Sequence, residues 1–313
     1  MAEQPSEFDR ARKRVADAVT VGGFRAGALA ARLMPGPVAL GAASSIGFTA
    51  SLANSTRRRM IERHLQRVNP RLRGPALRVA VGQAFDSYAK YYMESFRLPH
   101  LSKRTVADGL YVDGWDNVTR AVASGRGTIF ALPHMGGWEW AGRWMADKGY
   151  KMTVVVEALD PPELFEWFAH LRKELGMTIV PTGPGAGTAV LKALRENEIV
   201  CMLCDRDLER NGVEVEFFGE RTTLPAGPAT LALRTGAPLL PVGVYYTDDY
   251  NGHMAHVRPP IPLTRLGSMR SDVTRITQLL ARELEFLIRR APEQWHLFQP
   301  NWPSDPGYYD AAR

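Results

Sequence analysis

Residues 127–140 read GTIFALPHMGGWEW, an apolar run that ends in a proline, a histidine and two glycines. An unbroken apolar run of this length, bounded by turn residues, predicts a strand buried on both faces. Similar runs follow at 151–156 (KMTVVV), 177–180 (MTIV), 198–204 (EIVCMLC) and 238–246 (PLLPVGVYY). Helix-compatible stretches at 136–147, 161–175, 186–196 and 227–236 separate them. Strands alternating with helices predict an α/β fold with a mostly parallel central sheet flanked by helices. Residues 269–290 read as a closing amphipathic helix.

Upstream the text changes. Residues 8–100 are rich in Ala, Leu and Arg and read as helical, with ends marked by Pro35/Pro37, Pro70 and Pro99. This divides the chain into a helical, membrane-facing N-terminal layer over 1–108 and an α/β core over 109–313, together one continuous unit. At 313 residues and 45% hydrophobic content, the chain can bury a large core.

Charge is unevenly placed. Residues 1–78 hold fourteen Lys or Arg against five Asp or Glu, a balance of +9, whereas the remaining 235 residues carry −3. The basic residues cluster in STRRRMIERHLQRVNPRLRGPALR (55–78). Nucleic acid is set aside as a partner, because no basic motif interleaved with aromatics accompanies them. Peripheral contact with an anionic membrane fits better, each basic residue near such a surface contributing about 1 kcal/mol. The uncharged segment 35–53 lies directly upstream. Rich in Gly, Ala and Ser and carrying two prolines, it reads as a poor candidate for a spanning helix.

Two cysteines, Cys201 and Cys204, sit in a C-x-x-C spacing. With no second ligand pair, and inside an apolar run, they read as core residues in a reducing compartment and predict neither a metal site nor a disulfide framework. TGPGAGT (182–188) lacks the Lys-Ser/Thr of a phosphate loop and reads as a flexible connector.

In an open α/β sheet, ligands bind outside the carboxyl ends of the strands. His134 would lie at that edge, two residues past the run that ends at Leu132. An imidazole titrates near neutrality and suits general-base catalysis. Glu139, five residues on, opens the next helix and can reach back to steady the ring. Asp205 and Arg206 follow the run at 198–204 and should open at the same edge, where Asp205 is a second carboxylate able to partner His134. Glu157, just after TVVV, is a candidate for hydrogen bonding to sugar hydroxyls. Pro225–Pro228 at a helix start offers free N–H groups to a phosphate or an oxyanion. Trp295, Trp302 and Tyr309 read as core or lid packing.

PHMGGWEWAG (133–142) resembles the His-x4-Asp/Glu motif of bacterial acyltransferases that use acyl thioesters. Further blocks extend the resemblance over nearly the whole chain: HLRKELGM (170–177), the span 200–242, and EQWHLFQPNW (293–302). Together they are similar to the lauroyl/myristoyl lipid A acyltransferase superfamily, and within it to the actinobacterial phosphatidylinositol mannoside acyltransferases. The resemblance implies transfer of a fatty acyl group, palmitoyl by preference, from acyl-CoA to a glycolipid hydroxyl. In that branch the acceptor is a mannose 6-hydroxyl, and no acyl-enzyme forms. It implies catalytic roles for His134, Glu139 and Asp205 and substrate contacts for Glu157, Arg172 and Arg206. No metal and no cofactor is implied beyond acyl-CoA as co-substrate, and the site of action is the cytoplasmic face of the plasma membrane. The chain departs from the family in carrying aspartate at 205 and glutamate at 139, which leaves open which carboxylate touches the imidazole. Transfer to a lysophospholipid or lipid-A-like acceptor, and non-catalytic binding of acyl-CoA or lipid, stand as alternatives. A lipid hydrolase would need a nucleophile, and no Gly-x-Ser-x-Gly elbow occurs in the chain.

Overall fold

A computed structural model describes residues 7–157, 161–207 and 209–310. The chain opens with α1 (Glu7–Leu33), α2 (Gly36–Ala53), α3 (Ser55–Val68), α4 (Gly74–Arg97) and α5 (Lys103–Asp108). Then come β1 (Leu110–Asp113), α6 (Trp115–Ala123), β2 (Thr128–Leu132), α7 (Trp138–Asp147), β3 (Met152–Val156), α8 (Pro162–Glu174) and β4 (Met177–Pro181). The remainder comprises α9 (Ala186–Arg195), β5 (Ile199–Leu203), β6 (Val213–Phe217), β7 (Glu220–Leu224), α10 (Gly227–Thr235), β8 (Leu239–Tyr246), β9 (His253–Val257) and α11 (Met269–Arg289).

The main sheet runs in the order β1-β9-β8-β2-β5-β3-β4. Five neighbours, β8, β2, β5, β3 and β4, are parallel; β9 pairs antiparallel with β8, and β1 lies parallel to β9. The mostly parallel sheet read from the apolar runs is therefore present, with two strands of opposite sense at one edge. Those two, the helices α5 and α6, and the separate hairpin β6–β7 escaped the sequence reading. β6 and β7 read VEVEF and ERTTL, too polar to register as buried runs. Their turn, Phe218-Gly219, holds both residues at positive φ (51° and 76°), as a tight hairpin connection requires.

Each face of the sheet carries its own core. On one side α9, α10, α11 and the hairpin pack around Ile129, Val200, Leu239 and Leu284. On the other, α6 and α7 cover Phe130, Leu240 and Ile199 with Trp140, Trp144 and Met145.

The N-terminal helices break where expected at Pro35, but also at Asn54, which caps α3 by accepting from the Arg57 N–H at 2.9 Å. The segment 35–53 departs from its expectation. Pro35 is the N-cap and Pro37 falls in the first turn, where a missing N–H costs nothing, so neither interrupts the helix. The resulting α2 is 18 residues long with a mean hydropathy of 1.2, long and apolar enough to cross a membrane by length and composition, and only 22% of it is buried. Its buried stripe is Ala39, Ala43, Gly47 and Ser51, set against α4 so closely that a Cβ at Gly47 would lie 2.9 Å from the Asp86 backbone.

The loop after β2 is fixed by its glycines. Gly136 has φ 57°, and a Cβ there would collide with the Val244 carbonyl of β8. A Gly136→Ala variant should lose about 1–3 kcal/mol of stability from strain and displaced backbone. Equilibrium urea unfolding tests this, and an unchanged midpoint would contradict the close approach.

Candidate active site

Strand register brings the site together. Leu132 of β2 is paired with Leu203 of β5, and the Cys204 N–H donates to the Leu132 carbonyl at 2.8 Å. His134 and Asp205 each lie two residues past a paired leucine, so they meet at the carboxyl edge of adjacent parallel strands. His134 Nδ1 is 2.6 Å from Asp205 Oδ1, and the His134 backbone N–H donates to Oδ2 at 3.1 Å. The Asp205 side chain has no exposure, while that of His134 retains 12%.

The C-terminal segment completes the enclosure of Asp205. Trp295 Nε1 donates to Oδ2 at 2.7 Å, and Asn301 Nδ2 donates to the Asp205 backbone carbonyl at 3.0 Å. The His296 N–H donates to the His134 carbonyl at 2.7 Å, and Met135 bridges Trp295. Burial by itself would raise the Asp205 pKa. The imidazole, the indole N–H and the His134 amide outweigh it and hold the carboxyl at about 2. His296 is pushed the other way, down to about 3, by burial and then by the nearby His134, so it stays neutral.

With Nδ1 committed to Asp205, the ring keeps its donor on that side and leaves Nε2 as the nitrogen able to accept a proton. The Trp138 ring stands edge-on to the imidazole, centroids 5.9 Å apart. Trp138 also lines an apolar cavity of about 70 Å³ between the sheet and α7. Leu132, Leu203 and Val156 lie at the carboxyl edge; Met152, Trp144 and Trp115 line the far end. Its lining residues come from strands across the sheet, from β1 at one side to β3 at the other.

Glu139 does not meet the imidazole. The first turn of α7 aims it at α4 and α8, where a carboxylate of 3% exposure takes a guanidinium for a partner. Arg172 Nη2 lies 2.7 Å and Nε 2.9 Å from Glu139 Oε1, and the Tyr91 hydroxyl donates to the same oxygen at 3.1 Å. Burial opposes the charge on Arg172, but Glu139 more than compensates and raises its pKa. Both members of this ion pair line the cavity, at the end beside Trp138. Glu157, past β3, forms an ion pair with Arg206, past β5; Arg206 Nη1 also donates to Gln299 Oε1 at 2.6 Å. Four of the singled-out side chains thus sit at one sheet edge (His134, Asp205, Arg206, Glu157), and two at the cavity wall.

Trp295, Asn301 and Tyr91 were not read as site residues. Trp295 and Asn301 fall in EQWHLFQPNW, whose spacing from the C-x-x-C-D run carries no periodic signal. Cys201 faces the cavity, whereas Cys204 packs in the core of the opposite face, so the two thiols do not converge. Burial pushes the Cys201 thiol up to about 12. Among the described residues no cluster of three or more metal-ligating side chains occurs.

A buried carboxylate, an imidazole with one free nitrogen and an apolar cavity suit an enzyme that moves a proton beside an acyl chain. The chain belongs to the bacterial lipid A biosynthesis acyltransferase family, whose sequence profile matches residues 15–304, and the protein is an acyltransferase of lipid biosynthesis. It is 38% identical over 227 residues to the phosphatidylinositol mannoside acyltransferase of Mycobacterium tuberculosis (strain CDC 1551 / Oshkosh), covering 71% of this chain and 70% of that one. To the protein of that name from Mycolicibacterium smegmatis it is 39% identical over 222 residues, with 70% and 71% coverage. A more distant likeness, 26% over 189 residues with 59% and 58% coverage, links it to the lipid A biosynthesis palmitoleoyltransferase of Escherichia coli K12.

The Asp205 carboxyl yields a pH prediction. Its pKa is depressed from 3.8 to about 2, so its contribution to stability is full above the unfolded value and is lost as pH falls through the folded one. The protein should lose on the order of 2 kcal/mol between about pH 4 and pH 2 from this group. Asp205→Asn should remove that slope, as measured by unfolding across the window; an identical slope in the variant would refute the assignment.

Proposed function

We propose that the protein transfers a fatty acyl group from acyl-CoA to a hydroxyl of a glycolipid, with His134 as general base. What carries this reading is the His134–Asp205 pair beside the apolar cavity. In the proposed reaction the acyl chain lies in the cavity and its thioester carbonyl sits near Nε2. His134 Nε2 takes the proton of the acceptor hydroxyl while the oxygen attacks the carbonyl carbon. Asp205 keeps Nδ1 protonated and steadies the imidazolium. The tetrahedral intermediate then expels the CoA thiolate, which takes up the proton, leaving ester and free CoA without an acyl-enzyme.

The relatives' names point to a phosphatidylinositol mannoside as acceptor, and we assign the mannose 6-hydroxyl as nucleophile and palmitoyl as the preferred chain. A polar headgroup fits the Glu157–Arg206 pair at the strand ends, where hydroxyl and phosphate oxygens find both acceptor and donor groups. Glu139 and Arg172, on the cavity wall, act on the acyl side of the site.

His134→Ala should retain the fold and lose transfer by at least about a thousandfold. The assay is mass spectrometry of products from palmitoyl-CoA offered with mannosylated phosphatidylinositol and, separately, with a lysophospholipid. Near-normal turnover by the variant would refute the base; acylation of the lysophospholipid alone would refute the acceptor; binding of acyl-CoA without product from either would favour a lipid carrier.

The protein works, in this reading, from the cytoplasmic face of the membrane. Leu29, Leu33, Val38, Ile46, Phe48 and Leu52 of α1 and α2 are each more than half exposed, a larger apolar surface than a water-facing helix pair keeps. Arg57 and Arg59 follow, exposed at the start of α3 and placed to meet anionic headgroups, while Arg58 donates to the Ser51 carbonyl of α2. Binding to phosphatidylinositol-containing vesicles should fall about tenfold or more in Phe48→Asp, and should weaken in the wild type as salt is raised. Sedimentation with vesicles reads both, and salt-independent binding by the variant at wild-type strength would refute the docking face.

A further inference from the structure

The C-terminal segment 291–310 contributes no strand to the main sheet, yet two of its side chains, Trp295 and Asn301, hold Asp205. One of the groups that fix this segment is Asp305, whose side chain has no exposure. Its Oδ2 accepts from the N–H groups of Asn301 at 2.9 Å and Trp302 at 3.1 Å, closing the turn that presents Asn301.

The same carboxylate faces α3. Arg67 Nη2 lies 2.7 Å and Arg63 Nε 3.3 Å from Oδ1, and His64 Nε2 is 3.3 Å from Oδ2. The other nitrogen of His64 lies 2.8 Å from the Leu297 carbonyl, within the same segment. The Arg67 guanidinium also stands 4.2 Å from the centroid of Trp302, which stacks on Phe217 of the hairpin. Burial would raise the Asp305 pKa; the hydrogen bonds from His64 and Asn301 and the charge of Arg67 outweigh it and hold the carboxyl well below the usual range.

We infer that Asp305 is a positioning residue for the general base: gripped by Arg67 and His64 of α3, it sets the segment from which Trp295 and Asn301 hold Asp205 against His134. This rests on the proposed role of the His134–Asp205 pair. It gives the basic helix of the N-terminal layer a task apart from any membrane contact, because α3 holds, through this carboxylate and the Leu297 carbonyl, the segment that braces the base. An unanchored segment would leave Asp205 bonded to His134 but free to swing, and small displacements of a catalytic group are costly to rate.

Asp305→Asn keeps an oxygen acceptor for the two backbone N–H groups and removes the charge that the cations of α3 require. Arg67→Met keeps an aliphatic side chain over Trp302 and removes the cation. In both variants kcat should fall about tenfold with the acyl-CoA KM changed less than about twofold, and the Trp295 indole N–H resonance should shift in a ¹H–¹⁵N spectrum. If Asp305→Asn does not fold, Arg67→Met decides the matter alone. A Trp295 resonance unmoved in the folded variants, whatever happens to kcat, would overturn the inference, as would a shifted resonance with kcat unchanged. Should His134→Ala turn over normally, the base assignment fails by itself, and the Trp295 resonance still reports whether Asp305 places the segment.

Discussion

A carboxylate with no contact with solvent must find all its hydrogen bonds within the protein, and Asp205 finds them from two separate parts of the chain. The loop after β2 gives an imidazole and an amide, and the C-terminal segment gives an indole and a side-chain amide to the backbone. Losing the imidazole, the His134 amide or the indole leaves a buried charge short of partners, which is far more costly than losing an exposed one. The sheet edge, the loop glycines and the C-terminal turn are therefore mutually dependent. The loop after β2 and the C-terminal segment each hold a donor that the same anion needs, and Asn301 holds the backbone behind it.

The arrangement divides the labour between the acidic residues of the site. Asp205 is held ionised beside the imidazole, while Glu139 is neutralised by Arg172 at the cavity wall and is not available to the ring. A buried ion pair of that kind stabilises little by itself, but it can keep a cavity wall in one geometry. Cavity and imidazole thus meet at Trp138, which borders both.

The legible part of this structure was what hydrophobic periodicity encodes. Unbroken apolar runs such as TIFAL and IVCML gave the parallel strands, and the residues just after them gave His134, Glu157, Asp205 and Arg206 at one edge. Strands whose residues alternate with polar ones, such as β6 and β7, or that are only four residues long, such as β1, carry too little of that signal. Which of the two candidate carboxylates, Glu139 or Asp205, partners His134 is left open by the sequence for a different reason. Glu139 is near in sequence, but helix direction turns it away; Asp205 is 71 residues distant, and only the pairing of Leu132 with Leu203 makes it a neighbour. Register between two strands is a tertiary fact, and so is the return of Trp295 to the same carboxylate and of Asn301 to its backbone carbonyl. The prolines of α2 show a related limit: their effect depends on whether they fall in the first turn or the interior of a helix.

The central claim is that Asp205 fixes a protonated Nδ1 on His134 and leaves Nε2 free to take a proton. Nitrogen-15 NMR of histidine-labelled protein, with His134→Gln as the assignment control, reads the tautomer directly. The account predicts that the neutral ring carries its proton on Nδ1, with that proton resonating far downfield and the signal lost in Asp205→Asn. A neutral ring protonated at Nε2, or a tautomer indifferent to the loss of Asp205, would contradict it.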